Sequence, residues 1–420
     1  MNTTSTIASK NKVKSKIATQ LMNLSVYIGI ILHFQNVMNQ GVTDIFHAVS
    51  LVVGYFGVTL FLLSHGNKVN KICYWWVVVC VYMFLLGLIN PYGGTRSLYI
   101  LLKTDLRYCM YMMIGFCYAT PQWYAMYRIV MKKLMILAAV FGIIALFLFD
   151  YNLTTIVYRS NTWTMPYYLW WLPGSVFAFA MSEGSFGKTN KKICYAALGA
   201  YLILGILFLK RATIVNIIFL YVFIFFAKVL RGYSNKEKLL RFFWIVVIAC
   251  VLIFAVTRVP TVSNIANMVF DRFVNSEIDS YDRAAEAKMY FRGCGIMQII
   301  TGTGMGITSH DYSSLHIGFY NNILKGGLVL FGFWFCIFIK SVGSTIKIRR
   351  LDENHTLCLC VTVSALLSFF YEMGWGTTII AFGYAASIGY IFQREGKQNT
   401  IINKLKPIVL NKNNLLKENK

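Results

Sequence analysis

Apolar runs recur along the chain, each about as long as a bilayer is thick and separated by short polar connectors. A helix needs about 20 mostly apolar residues to cross the hydrocarbon layer. On that measure the pattern predicts crossing helices over 20–38, 45–63, 72–89, 98–118, 134–149, 166–181, 193–209, 212–230, 241–257, 317–339, 356–372 and 376–393. The segment 98–118 carries Lys103, Asp105 and Arg107 within its apolar run, so it is expected to be broken or partly interfacial. The expected fold class is all-α: a polytopic integral membrane protein of about twelve transmembrane helices. One membrane domain covers 1–393, with a large loop at about 258–316 and a basic tail at 394–420. The sequence shows no internal repeat and no Pro/Ser-rich linker.

Composition supports the membrane reading. The chain is 57% hydrophobic and only 13% charged, where a soluble domain carries about 25% charged residues. Its net charge of +24 would suit nucleic acid, but the position of the charge excludes that partner. The Lys and Arg residues lie mainly in alternate connectors and the two tails, among them 119–133, 228–241 and 340–355. Inner-membrane proteins distribute basic residues in this way on the cytoplasmic side. The expected location is therefore the cytoplasmic membrane, with both termini in the cytoplasm and the 258–316 loop outside. Nine of the ten cysteines fall in or beside apolar runs, and Cys294 lies in the long loop. Their spacing forms no metal motif and reads as small apolar filling.

Candidate chemistry sits where the positive-inside pattern is broken. Arg96, Arg159, Lys210, Arg211, Arg258, Arg272, Arg283, Lys288 and Arg292 fall on the expected outer side, accompanied by Asp271, Glu277, Asp279, Asp282, Glu286 and Asp311. A solvated loop with offsetting charges accounts for most of them. Arg211 is different. It stands where two long apolar runs meet, a position that calls for a partner, snorkelling to the interface, or a task. Arginine suits phosphate because its planar fork stays charged and donates two hydrogen bonds together. Arg283 can pair locally with Glu286, three residues on.

Gly302, Gly304 and Gly306 alternate, which predicts a tight irregular backbone. No strand precedes them and the dinucleotide spacing is absent. His316 then opens an apolar stretch, and Gly327 follows at an offset that places both on one face if the helix is regular. An imidazole at the outer end of a span can take or give a proton near neutrality, or it can serve as an interfacial cap. His310 and Asp311 are alternatives for the same task. Lys325, inside the span 317–339, either belongs to a transport pathway or reaches the outer cavity.

These features resemble the Wzy-type polysaccharide polymerases and the related O-antigen ligases. The resemblance rests on Arg211 opening a long span, on Arg283 in the large outer loop, and on Gly302-x-Gly304-x-Gly306 followed by His316 and Gly327. The layout of about twelve spans with one large loop before the last three agrees as well. Ile317 stands where that family usually has Asn, and Lys210 and Ala212 flank Arg211 where it often has small residues. The resemblance implies a C-type glycosyltransferase-like bundle that performs metal-independent, inverting transfer with no cofactor. It implies a donor glycan on undecaprenyl pyrophosphate and a sugar hydroxyl as acceptor. His316, Arg211 and Arg283 would be catalytic. Arg292, Arg159, His310, Gly304 and Gly306 would bind substrate. Partners would be the lipid-linked oligosaccharide, the bilayer, a chain-length regulator and a flippase. Two other functions remain open at this point: a ligase of the same family, and a lipid-linked oligosaccharide flippase or other transporter.

Overall fold

A computed structural model describes residues 2–31, 40–65, 69–89, 95–148, 168–183, 188–207, 211–230, 294–308, 318–347, 353–371 and 381–392, with isolated positions between 240 and 292. The chain is built of helices. In order they are α1 (Asn2–Ile31), α2 (Gln40–His65), α3 (Lys71–Ile89), α4 (Leu98–Ile100), α5 (Leu106–Tyr118), α6 (Pro121–Leu148), α7 (Tyr168–Glu183), α8 (Lys188–Leu207), α9 (Arg211–Leu230), α10 (Ile296–Thr301), α11 (Gly318–Lys347), α12 (Glu353–Tyr371) and α13 (Ala381–Phe392). Among the described residues the strands are β1 (Thr95–Arg96) and β2 (Ile307–Thr308), which pair antiparallel.

Helix ends fall where local chemistry places them. Asn70 accepts the Ile72 N–H and so caps α3, while its amide donates to the Gly389 carbonyl in α13 at 2.6 Å. Thr120 precedes Pro121, the first residue of α6, and its hydroxyl accepts the Trp123 N–H. These caps lie beyond the apolar runs, which is why α6 begins well before the span expected from 134.

Among the described residues three helices are long and apolar enough to cross a membrane: Asp44–His65, Lys71–Ile89 and Phe319–Ser341. The 19 residues of α3 extend about 28 Å at 1.5 Å per residue, close to the roughly 30 Å of hydrocarbon. Shorter apolar helices occupy Val215–Lys228, Asn354–Leu367 and Ala381–Phe392. Large apolar side chains face outward, as with Leu63 at 78% and Ile89 at 74% exposure. Exposed apolar side chains in such number suit a surface that faces lipid.

Inside, polar groups join the helices. The Ser25 hydroxyl of α1 donates to the Ser50 carbonyl of α2 at 2.8 Å, and the Tyr111 hydroxyl of α5 donates to the Ser25 carbonyl at 3.0 Å. Asn216 of α9 donates to the Ser364 hydroxyl of α12 at 2.9 Å. Lys228 pairs with Glu183 at 2.8 Å and ties the end of α9 to that of α7. Apolar outside with polar cross-links inside is the arrangement of a helical membrane protein.

The segment 98–118 keeps a helical path but changes its winding partway. A π turn, Leu101–Asp105, joins α4 to α5 and accommodates the charged residues within a continuous helical path.

Candidate functional site: a glycine turn locked between two helices

The glycine-rich segment forms a turn held inside the helical bundle. Gly302, Gly304 and Gly306 have φ of 80°, 86° and 73°, in the left-handed region open to glycine. Their second role is to allow contact between backbones. A Cβ on Gly304 would lie 2.1 Å from the Gly87 nitrogen of α3, and one on Gly302 would lie 2.5 Å from the Gly327 nitrogen of α11. Glycine therefore meets glycine on both flanks.

The kink in α11 is what receives the turn. Gly327 has φ 62° and ψ −158°, which interrupts the helix. Carbonyls just before such a break lose their usual partners four residues on. The turn supplies replacements. Thr303 donates its N–H to the Leu324 carbonyl at 2.7 Å and its hydroxyl to the same oxygen at 2.8 Å. Gly304 donates its N–H to the Lys325 carbonyl at 2.9 Å, and Met305 reaches the Met83 carbonyl of α3 at 2.9 Å. Non-helical backbone inside a membrane protein must find such internal partners, because lipid offers none. Gly327 is the break in α11, and His316, expected to share a helix face with it, lies outside the described residues.

A buried ion pair fastens the turn from its other side. Lys325 donates to Asp105 of the π turn at 3.0 Å and to the Ile307 carbonyl at 3.0 Å. The same Asp105 oxygen accepts the Gly306 N–H at 2.7 Å. The side chains are 1% and 0% exposed. Charges so deep persist only when paired and fully hydrogen-bonded. Lys325 is thus buried against Asp105 and does not open to an outer cavity, which corrects that expectation for it. From Ser97, the backbone N–H donates to the Gly306 carbonyl at 2.8 Å, and the β1–β2 ladder continues the contact.

The other sequence-derived site residues are located less fully. Arg211 is the first residue of α9. Arg292 is helical and exposed. Gly304 and Gly306 lie in the turn. His316, Arg283, Arg159 and His310 lie outside the described residues. The described residues therefore unite the glycines with Asp105 and Lys325; of the three expected catalytic residues they include Arg211 alone. Sequence reasoning missed Asp105 as the partner of the turn, although a carboxylate inside an apolar run was the signal for it. It also passed over Asn321 and Asn322, both buried at the start of α11. Among the described residues no three His, Cys, Asp or Glu side chains gather into a set that could hold a metal ion.

No protein-family model matches the chain, and no characterised protein matches it at a significant level.

Proposed function

We propose that this protein is a membrane-embedded polysaccharide polymerase with about twelve spans, both termini in the cytoplasm and its site on the outer face. In this reading it extends a bacterial surface polysaccharide (O-antigen, capsule or exopolysaccharide) by transferring the growing glycan from undecaprenyl pyrophosphate to an acceptor sugar hydroxyl. The observation that carries the reading is the glycine turn fixed between α3 and the kinked α11. Irregular backbone built into a membrane bundle is characteristic of places where substrate is handled. The turn lies immediately before the segment that contains His310 and His316.

The chemistry balances with the residues assigned. The acceptor oxygen attacks the anomeric carbon from the face opposite the leaving group. His316 takes the hydroxyl proton. The bond from the anomeric carbon to the pyrophosphate oxygen breaks, and the electron pair leaves with the lipid pyrophosphate. Arg211 and Arg283 hold the charge that develops there, supported by Arg292 and Arg159. The flippase alternative draws on ionisable residues within spans. Asp105 and Lys325 are such residues, but their bonds to turn backbone suit a fixed wall better than a moving gate. The ligase alternative uses the same residues and differs only in the acceptor.

Arg211→Ala, Arg283→Ala and His316→Ala should each abolish long-chain surface polysaccharide while the amount of protein in the membrane stays the same. The loss of one such group costs about 10² to 10³ in rate. Gel analysis of surface glycan beside an immunoblot reads both quantities. Long chains retained in a variant would remove that residue from the site.

A further inference from the structure

A second cluster of charges lies one helix face away from the glycine turn. The π turn rotates Asp105 toward α11 and leaves Lys103 and Arg107 facing α2. Lys103 pairs with Asp44 and lies 4.0 Å over the ring of Tyr99. Arg107 donates Nη1 to Nδ1 of His47 at 3.0 Å, and His47 is only 4% exposed.

The charges in this cluster do not balance. Two cations face one carboxylate, and that carboxylate, half-exposed, belongs to Lys103. His47 can accept from Arg107 only while its Nδ1 is unprotonated, so it offers no negative charge. Among the described residues no carboxylate pairs with Arg107, and its Nε is buried without a hydrogen-bond partner. A guanidinium held this way at the edge of a membrane bundle is costly unless an anion joins it. Arginine with a neighbouring lysine favours a phosphate, which the fork can grip through two oxygens.

The surroundings indicate what carries that phosphate. Ile45, Val49 and Val52 of α2 and Leu98, Tyr99 and Leu102 beside the π turn are exposed apolar side chains. They belong to the same two elements that carry the cluster and leave apolar surface open beside it. A soluble anion has no use for such walls, whereas a long hydrocarbon chain does.

We propose that the cluster between α2 and the π turn binds the phosphate of a membrane lipid, with Arg107 and Lys103 on the phosphate oxygens and the lipid chain on the exposed apolar side chains of these two elements. The phosphate belongs either to an isoprenoid pyrophosphate or to a phospholipid headgroup. This site is separate from the polymerase reading, since it concerns binding by the purified chain and requires no transfer.

The test uses the full-length protein in neutral detergent, titrated with farnesyl pyrophosphate, with phosphatidylglycerol and with uncharged farnesol, and read by native mass spectrometry. Wild type should bind at least one anionic probe more tightly than farnesol. Arg107→Gln should weaken that binding about tenfold or more, the usual effect of losing a charged hydrogen-bonding partner, and leave farnesol unchanged. Asp44→Asn frees Lys103 at a half-exposed position and should tighten binding, while Lys103→Gln should weaken it. These two variants decide the matter if Arg107→Gln does not fold. Preference for farnesyl pyrophosphate assigns the site to an isoprenoid pyrophosphate, and preference for phosphatidylglycerol assigns it to a headgroup. Anionic probes that bind no better than farnesol, or binding unmoved by the Asp44 and Lys103 substitutions, would overturn the proposal. Long-chain polysaccharide in cells reads the polymerase function independently, so failure of either idea leaves the other standing.

Discussion

Lys325→Met should remove most of the folded protein from the membrane. The substitution leaves Asp105 charged, buried and without its cation. Breaking a buried pair from one side costs about 3–5 kcal/mol, against a typical total stability of about 5–15 kcal/mol. The Ile307 carbonyl loses its donor as well. Asp105→Asn combined with Lys325→Met should recover much of the loss, because an amide oxygen can still accept the Gly306 N–H and no charge remains buried. Thermal melting of the purified protein in detergent measures both variants. A single variant that melts with wild type would show that the pair is not what holds the turn, and a double variant no better than the single would point to packing of the lysine stem instead.

Gly304→Ala should be nearly as damaging, for a steric reason. At φ of 86° a side chain is already strained by about 1–2 kcal/mol. The new methyl would also stand 2.1 Å from the Gly87 nitrogen and 2.5 Å from its Cα. Both atoms are helix backbone, so α3 or the turn must move as a whole. Moving the turn strains the bonds to Leu324 and Lys325 and disturbs the segment that leads to His316. Long-chain product should fall together with melting temperature. Gly332→Ala is the matched control, since a methyl there meets nothing within 4 Å, and alanine in a helix is favoured over glycine by about 1 kcal/mol. A Gly304 variant that behaves like the Gly332 variant would refute close backbone contact between the turn and α3.

Much of this architecture is legible in the chain because its causes are local. Several long apolar runs among the described residues yield a helix close to the expected place, as with α3 over Lys71–Ile89 against 72–89 and α11 over Gly318–Lys347 against 317–339. The helices overrun the apolar stretches because a helix continues through polar residues until a cap ends it. The span expected over 241–257 and most of the loop expected over 258–316 lie outside the described residues. Helical backbone at 258, 260, 263, 264 and 267 shows helix beyond the expected start of that loop. Alternating glycines announce a left-handed turn from their chemistry alone.

What holds that turn is not legible, because the partners are far apart in the chain. Asp105 and Lys325 are separated by 220 residues, and no periodicity links them. Each read alone as a charge misplaced in an apolar run. Gly87 reads as one small residue in a span until Gly304 is found against it. Arg107 was read only as part of the irregularity of its span and was not grouped with the cations expected on the outer side.

The central claim is that the site joins lipid-linked repeat units on the outer face. Lipid-linked glycans extracted from cells lacking this protein, with their leaflet assigned by a membrane-impermeant enzyme, test it most directly. The polymerase reading predicts single repeat units on undecaprenyl pyrophosphate, accumulated in the outer leaflet and open to the enzyme. Units confined to the inner leaflet would make the protein a flippase, and long glycan stranded on the lipid would make it a ligase; either result contradicts polymerisation.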